Sequence, residues 1–535
     1  MTAPGTGTTR RTGDGLTAVL RLQLRTGWKA LLAWVAGLVG VYAATVAAID
    51  TTYGTPEQLA TYQATVGSDP TMAAINGTPY GADTLGGVVA NEFGFIAAIA
   101  VPLMGLLLVT RSTRAAEENG LLELLRSRAI GSRAPWSAAL GVTAGALVLV
   151  GLGMAGSLLA YGVEAADAAL YGASVTALGL VFAGVATLAG QLLRRAAGVV
   201  AVGIVVLGAA YVFRAIGDVE DNGWKWLSPL AWQQETRPFA EDPRVWPLLL
   251  ALGVAATLSG LGLALVGRRD LGSAVVPSRP GPARAGRFLA SGPGQALRQH
   301  GATLLAWAVG AALVGAVFGA FTDDIADVVA ANPDLQAAFS AGAAGDPTSW
   351  YLSFTLVLVM LMAFGAAAQV VARVRREETG GRLEAVLARS VRRTTWLGTH
   401  AAVAVLGGAL VALAGGAGLA VTASRATGDT AGAFTAAAQY LPAVVAVVGL
   451  GVALLGLLPR ALGLLWVAIA YVAVVEMLGE TLSMPDAALQ VSPLHAIGRL
   501  PAEDPSGTGV LVVGAVAVAL LGAGLAGFRH RDVPR

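Results

Sequence analysis

RSTRAAEENGLLELLRSRA, residues 111–129, follows eighteen residues that carry no charge (93–110). A second version, ARVRREETGGRLEAVLARS, occupies residues 372–390 after a similar apolar stretch. At an offset of 261 the two align Arg114 with Arg375, Glu117 with Glu378, Gly120 with Gly381, Leu122 with Leu383 and Glu123 with Glu384. Arg and Glu three residues apart meet on one helix face, and Gly accepts backbone dihedrals that other residues resist. Leu122 with Leu125, and Leu383 with Val386, add an apolar ridge too small to form a core. The pattern is a short amphipathic helix inserted twice between apolar runs. A solvated connector has no need to keep Glu, Gly, Leu and Glu together in two places, so the segment reads as a docking surface for two copies of one partner.

The apolar runs set the class. The chain is 55% hydrophobic and 13% charged, about half the charge of a soluble domain. Charge-free or nearly charge-free runs lie at 30–49, 93–110, 134–163, 168–193, 196–213, 245–267, 299–322, 347–372, 394–424, 430–459, 461–475 and 505–528. A helix needs roughly 20 apolar residues to cross the hydrocarbon core. The expectation is an all-α polytopic membrane protein with twelve transmembrane helices, the run at 461–475 being the shortest. The first run exceeds the length of a signal-peptide core and has an internal copy, so it reads as a retained span.

Basic residues orient the chain. With both termini cytoplasmic, outer loops hold six of the 35 Lys and Arg residues (Arg214, Lys225, Arg237, Arg244, Arg425 and Arg499), leaving 29 inside. The net charge of +2 conceals this asymmetry and points to no nucleic-acid partner. There is no cysteine, hence no disulfide or thiol nucleophile, and four scattered histidines lack metal-ligand spacing.

Further collinear matches extend the duplication. RTGWKALLAWVAG (Arg25–Gly37) pairs with RQHGATLLAWAVG (Arg298–Gly310), RRAAG (Arg194–Gly198) with PRALG (Pro459–Gly463), and LSPL (Leu227–Leu230) with VSPL (Val491–Leu494). The domains expected are a cytoplasmic N-terminus with an interfacial helix (1–29), a first six-helix half (30–266), a Gly/Pro/Arg-rich cytoplasmic linker (267–299), a second six-helix half (300–528) and a short tail (529–535). Leu16, Val19, Leu20, Leu24 and Trp28, set against Arg21 and Arg25, give the N-terminal segment an amphipathic pattern that suits either a helix in the headgroup plane or a plain cytoplasmic extension of the first span.

Two machines use twelve helices in two similar halves. A proton-driven multidrug antiporter needs a titratable group within the membrane, and here Glu92, Arg214 and Glu476 sit only at or near the ends of spans. A chain that hydrolysed ATP itself would need a phosphate-binding loop with its Lys. The only lysines, Lys29 and Lys225, both follow Trp outside any such loop. A non-transporting membrane scaffold is the third alternative.

The EENGLLELL and EETGGRLEAVL segments, the six-plus-six duplication and the lack of a nucleotide-binding domain resemble a fused permease of the ABC-2 type, close to the exporters of polyketide antibiotics and tetronasin in actinobacteria. The resemblance implies a permease subunit of an ATP-driven ABC exporter in the bacterial plasma membrane, moving lipophilic organic compounds outward. It implies no catalytic residue, metal or cofactor in this chain, and a separate ABC ATP-binding subunit, two copies per permease, carrying ATP and Mg. That subunit would engage Arg114, Glu117, Glu118, Gly120, Leu122, Glu123, Arg375, Glu378, Gly381, Leu383 and Glu384. The same resemblance places the second and fifth helices of each half near the substrate pathway. The side chains there are Phe93, Phe95, Tyr211, Phe213, Phe354, Phe364, Trp466, Tyr471 and Glu476. It also implies partly re-entrant outer loops at Gly223–Phe239 and Leu482–Leu500.

Overall fold

The computed structural model describes residues 15–67, 73, 76–127, 130–276, 284, 286–322, 346–388, 391–429, 431–478 and 484–531, and among them helices and turns but no strand. The chain divides into two units, Met1–Pro280 and Gly281–Arg535. The first contains α1 (Leu16–Tyr53), α2 (Pro56–Val66), α3 (Leu85–Glu92), α4 (Gly94–Ser112), α5 (Arg114–Glu118), α6 (Leu121–Arg126), α7 (Ala134–Leu159), α8 (Ala165–Leu192), α9 (Ala196–Val219), α10 (Pro229–Gln234) and α11 (Trp246–Val266). The second contains α12 (Gly292–Ala320), α13 (Pro347–Thr379), α14 (Arg382–Leu387), α15 (Arg393–Thr427), α16 (Gly432–Gln439), α17 (Leu441–Leu457), α18 (Leu464–Leu478), α19 (Asp486–Leu489), α20 (Pro493–Ile497) and α21 (Gly507–His530).

Among the described residues, eleven helices are long and apolar enough to span a membrane. The helix at the remaining expected span, 461–475, is α18, with 15 described residues. At 1.5 Å per residue it is about 22 Å long, short of the roughly 30 Å hydrocarbon core. The protein is a polytopic all-α membrane protein, as its hydropathy requires.

The elements start where the sequence provides for it. Proline stands in the first turn of α2, α7, α10, α11, α12, α13, α17 and α20, where its missing N–H would lack an intrahelical partner anyway. The repeated Ser-Pro-Leu is such a start. Ser228 accepts from the Leu230 N–H and Ser492 from the His495 N–H, capping α10 and α20.

Lipid tails supply no hydrophobic drive between helices, so close backbone approach matters. A Cβ on Gly151 of α7 would lie 2.3 Å from the Gly172 carbonyl of α8, and one on Gly456 of α17 would lie 2.1 Å from the Gly524 carbonyl of α21. Those small residues let α7 close on α8 and α17 on α21. Of the spanning helices, α8 and α13 are the most buried and α21 the least.

Two segments take a definite form. The amphipathic segment before the first span is not a separate helix: α1 runs unbroken for 38 residues, about 57 Å, so Leu16–Lys29 prolongs the span. Likewise α12 runs from Gly292 into its span without a break. The head of the linker is tied down by its backbone. Val275 and Val276 donate backbone hydrogen bonds of 3.0 and 3.2 Å to the carbonyls of Gln191 and Leu192 at the end of α8, so its first residues are pinned. Residues 1–14, 277–283, 323–345, 482–483 and 532–535, which hold parts of the expected terminus, linker, loops and tail, lie outside the described residues.

Candidate functional site

The first repeated loop begins where α4 stops. Thr113 leaves helical geometry (φ −120°, ψ −86°), and α5 follows as a single turn. Gly120 then takes φ +73° and Gly381, at the matching place, φ +71°. These left-handed positions turn the backbone into α6 and α14, which Gly does at no steric cost.

Arg114 and Glu117 point into the protein. Arg114 lies 2.9 Å from Glu117 and donates to the carbonyls of Arg194 and Ser273, each at 2.9 Å. Arg269, three residues past α11, forks onto the same carboxylate at 2.6 and 2.8 Å. Gly272 N–H donates to it at 2.7 Å, and Gln191 accepts from Arg269 Nε at 2.6 Å. All three charged side chains are buried. A buried carboxylate is tolerated only when paired and hydrogen-bonded, and here both oxygens are used. Glu118 accepts from the Ala196 N–H at 3.0 Å, tying the loop to the start of α9.

The second loop repeats this with fewer partners. Here α13 continues unbroken to Thr379, Arg375 approaches Glu378 at 2.7 Å, and Arg531, just past α21, pairs with Glu378 from the other side. Arg531 is itself held through its carbonyl, which accepts from Arg393 at 2.7 Å. Glu377 pairs at the surface with Arg382, at 2.7 and 3.1 Å. Beside α14 opens a cleft of about 860 Å³, whose walls include Gln295, Gln299, Trp396 and His400. His400 meets His300 at 3.2 Å behind it.

The leucines thought to reach for a partner are turned inward. Leu122 is 2% exposed and Leu383 1%; Leu122 shares a small crevice with Pro135, Trp136, Val266 and Leu271. A helix of six residues has room for one inward face, and these leucines occupy it. Outward stand Leu121 at 53% exposure, Leu124 at 70%, and Glu123; in the second half Arg382, Glu384 and Ala385 are exposed. Arg269 and Arg531 escaped the sequence reading. A signal was present: RRD (268–270) and HRD (530–532) follow the last span of each half at an offset of 262.

The residues expected along a substrate pathway are dispersed. Phe93 is buried and meets Tyr42 edge-on at 4.9 Å, and Phe364 is buried in the second core. Phe95 faces Tyr211 at 6.2 Å, Phe213 stacks on Trp224 and Phe354 on Trp350. Trp466 is exposed. Tyr471 donates to the Ala488 carbonyl, and Glu476 accepts from Ser492 at 2.5 Å.

The two loops after the fifth helices are built differently. In the first half Glu235 is buried and accepts from Tyr80 at 2.7 Å and from Arg237 at 2.8 and 3.0 Å, with Lys225 paired at 2.9 Å and Arg244 at 3.5 Å. Burial alone would raise its carboxyl, but hydrogen bonds from Lys225 and Tyr80 hold it below the ordinary carboxylate value. Burial, and then the bond to Glu235, push the Tyr80 hydroxyl up to about 12. In the second half, Tyr440 donates to the Gly498 carbonyl at 2.6 Å and accepts from the Leu500 N–H at 2.9 Å, while Glu503 accepts from the Arg499 N–H at 3.1 Å.

Membrane helices in two related units, each presenting a braced charged loop, define a polytopic membrane permease. The family model described as "Multidrug efflux system permease Rv1217c, C-terminal domain" matches residues 289–529. Over 535 residues the chain is 35% identical to the multidrug efflux system permease protein Rv1217c of Mycobacterium tuberculosis (strain ATCC 25618 / H37Rv), covering 97% of this chain and 96% of that protein. The chain belongs to this family of multidrug efflux permeases.

Proposed function

We propose that this permease is the membrane subunit of an ATP-driven ABC-2 type exporter of lipophilic organic compounds, polyketide antibiotics and drugs among them. A separate ABC ATPase, in two copies with ATP and Mg, docks on α5–α6 and on the end of α13 with α14. Both termini and both loops then face the cytoplasm of a bacterial cell, as the partition of arginines favours. The observation that carries this reading is the twice-built loop. In each half a one- to two-turn helix is fixed from behind by a buried leucine and a buried carboxylate, while its other face is left to solvent. Effort spent on rigidity at an exposed helix suits a surface that must receive force.

The test is co-expression with an ABC ATPase encoded beside it, followed by purification and reconstitution in lipid vesicles. ATP-dependent accumulation of lipophilic dyes by a stable complex is expected. Dye movement by the chain alone on a proton gradient, without ATP, would establish the antiporter instead.

A further inference from the structure

Within each half, the sixth helix does not run beside the helix that leads into the loop. In the first half α11 packs along α8, and in the second α21 packs along α17. The loop's own helices are α4 and α13. In each half a carboxylate is the charged junction between these elements, joined in the first half by the bond from Arg114 to the Ser273 carbonyl and by the packing of Leu122 near Val266 and Leu271. Glu117 is gripped from its own helix turn by Arg114 and from beyond α11 by Arg269; Glu378 is gripped by Arg375 and from beyond α21 by Arg531.

We propose that Arg269 and Arg531 are positioning residues of the energy-coupling step: each ties the carboxylate at the head of one loop to the end of the sixth helix of the same half, so that a displacement imposed on the loop is delivered to that helix as well. This rests on the ATP-driven reading above. The chemistry suits a load path. A guanidinium fork on a carboxylate fixes direction as well as distance, and Arg269 makes both contacts of the fork. In the first half the link is dry, the exposures being 5% for Arg269 and 2% for Glu117; the surrounding low dielectric strengthens it. The same device is assembled from different chain contexts, the head of the linker in one half and the tail in the other; Gly272, Ser273 and Gln191 brace the first, and Arg393 holds the Arg531 carbonyl in the second.

The experiment uses the reconstituted complex with its ATPase, and the readout is dye transported per ATP hydrolysed. A role in folding alone lowers the amount of complex, which scales numerator and denominator together and leaves this ratio unmoved. Arg269→Ala is expected to lower the ratio about tenfold, toward the lower end of the range for energetic coupling between sites. Arg531→Ala should lower it as well and the double variant abolish transport, while Arg269→Lys recovers part of it because one point charge cannot form the fork. Should Arg269→Ala fail to assemble, Glu117→Gln with Arg269→Met removes one charge of each sign, leaving Arg114 its bonds to the Arg194 and Ser273 carbonyls, and is expected to show the same loss. A wild-type ratio in assembled complexes of the double Ala variant, or of the neutral pair, would overturn the proposal. Absence of ATP-driven dye movement by the unmodified complex would instead overturn the reading on which it rests.

Discussion

Leu122 and Leu124 stand two residues apart on the same six-residue helix, and the structure assigns them opposite work. Leu122 is 2% exposed and Leu124 is 70% exposed. Full burial of a leucine contributes about 1.5–3 kcal/mol, so Leu124, burying some three-tenths of itself, gains roughly 0.5–1 kcal/mol from its own chain by the same measure. Leu122→Ala also leaves a cavity, for a total of about 2–5 kcal/mol. The first substitution should therefore lower the melting temperature of the purified permease, and Leu124→Ala should leave it nearly unchanged. Docking is expected to behave in reverse. Truncating an apolar anchor at the centre of an interface commonly weakens binding by more than about 1 kcal/mol, so Leu121→Ala with Leu124→Ala should release the ATPase from the folded permease. The assay pairs thermal unfolding of each variant with retention of the ATPase on the immobilised permease. Full retention in the Leu121/Leu124 variant, together with loss of retention at unchanged melting temperature in Leu122→Ala, would refute the outward-face reasoning. The equivalent second-half positions hold Arg382 and Ala385, so docking there should depend on salt more than docking at the first loop does.

Glu235→Gln should destabilise the first half by up to about 3–5 kcal/mol, the cost of breaking a buried ion pair, and by less where Lys225, Arg237 and Arg244 reach solvent. Because the Glu235 carboxyl is held below its ordinary value, its contribution is complete above about pH 4.3 and is lost as pH falls through the lower folded value; melting curves from pH 7 to 3 should show an acid limb that Glu235→Gln lacks. Gly456→Val sets a side chain against the Gly524 carbonyl and should cost about 1–3 kcal/mol or more by overpacking, read as lost thermal stability of the second half. The chain has no cysteine, so single substitutions report sidedness: Ser127→Cys should resist a membrane-impermeant thiol reagent on intact cells and Glu241→Cys should react, and the opposite result would invert the proposed topology.

Membrane class, duplication and the place of the two loops were legible in the sequence, because each rests on a local or periodic quantity. Transfer from water to lipid acts on every residue of a span, so run length alone exposes eleven helices, and the marginal run at 461–475 became the marginal helix α18. Gly120 and Gly381 announced a backbone turn because left-handed dihedrals favour glycine wherever they occur. The facing of a short helix is another matter. In a six-residue segment such as LLELLR any leucine can point inward, and only the position of Trp136, Val266 and Leu271 around it selects Leu122. The partners of Glu117 and Glu378 were likewise hidden, since Arg269 and Arg531 lie 152 and 153 residues away. Sequence spacing ranks neighbours on one helix, whereas a buried charge is neutralised by whatever the packing of other helices brings to it. Tertiary structure alone decided that the glutamates brace the loops from within and that the face left to solvent is the opposite one.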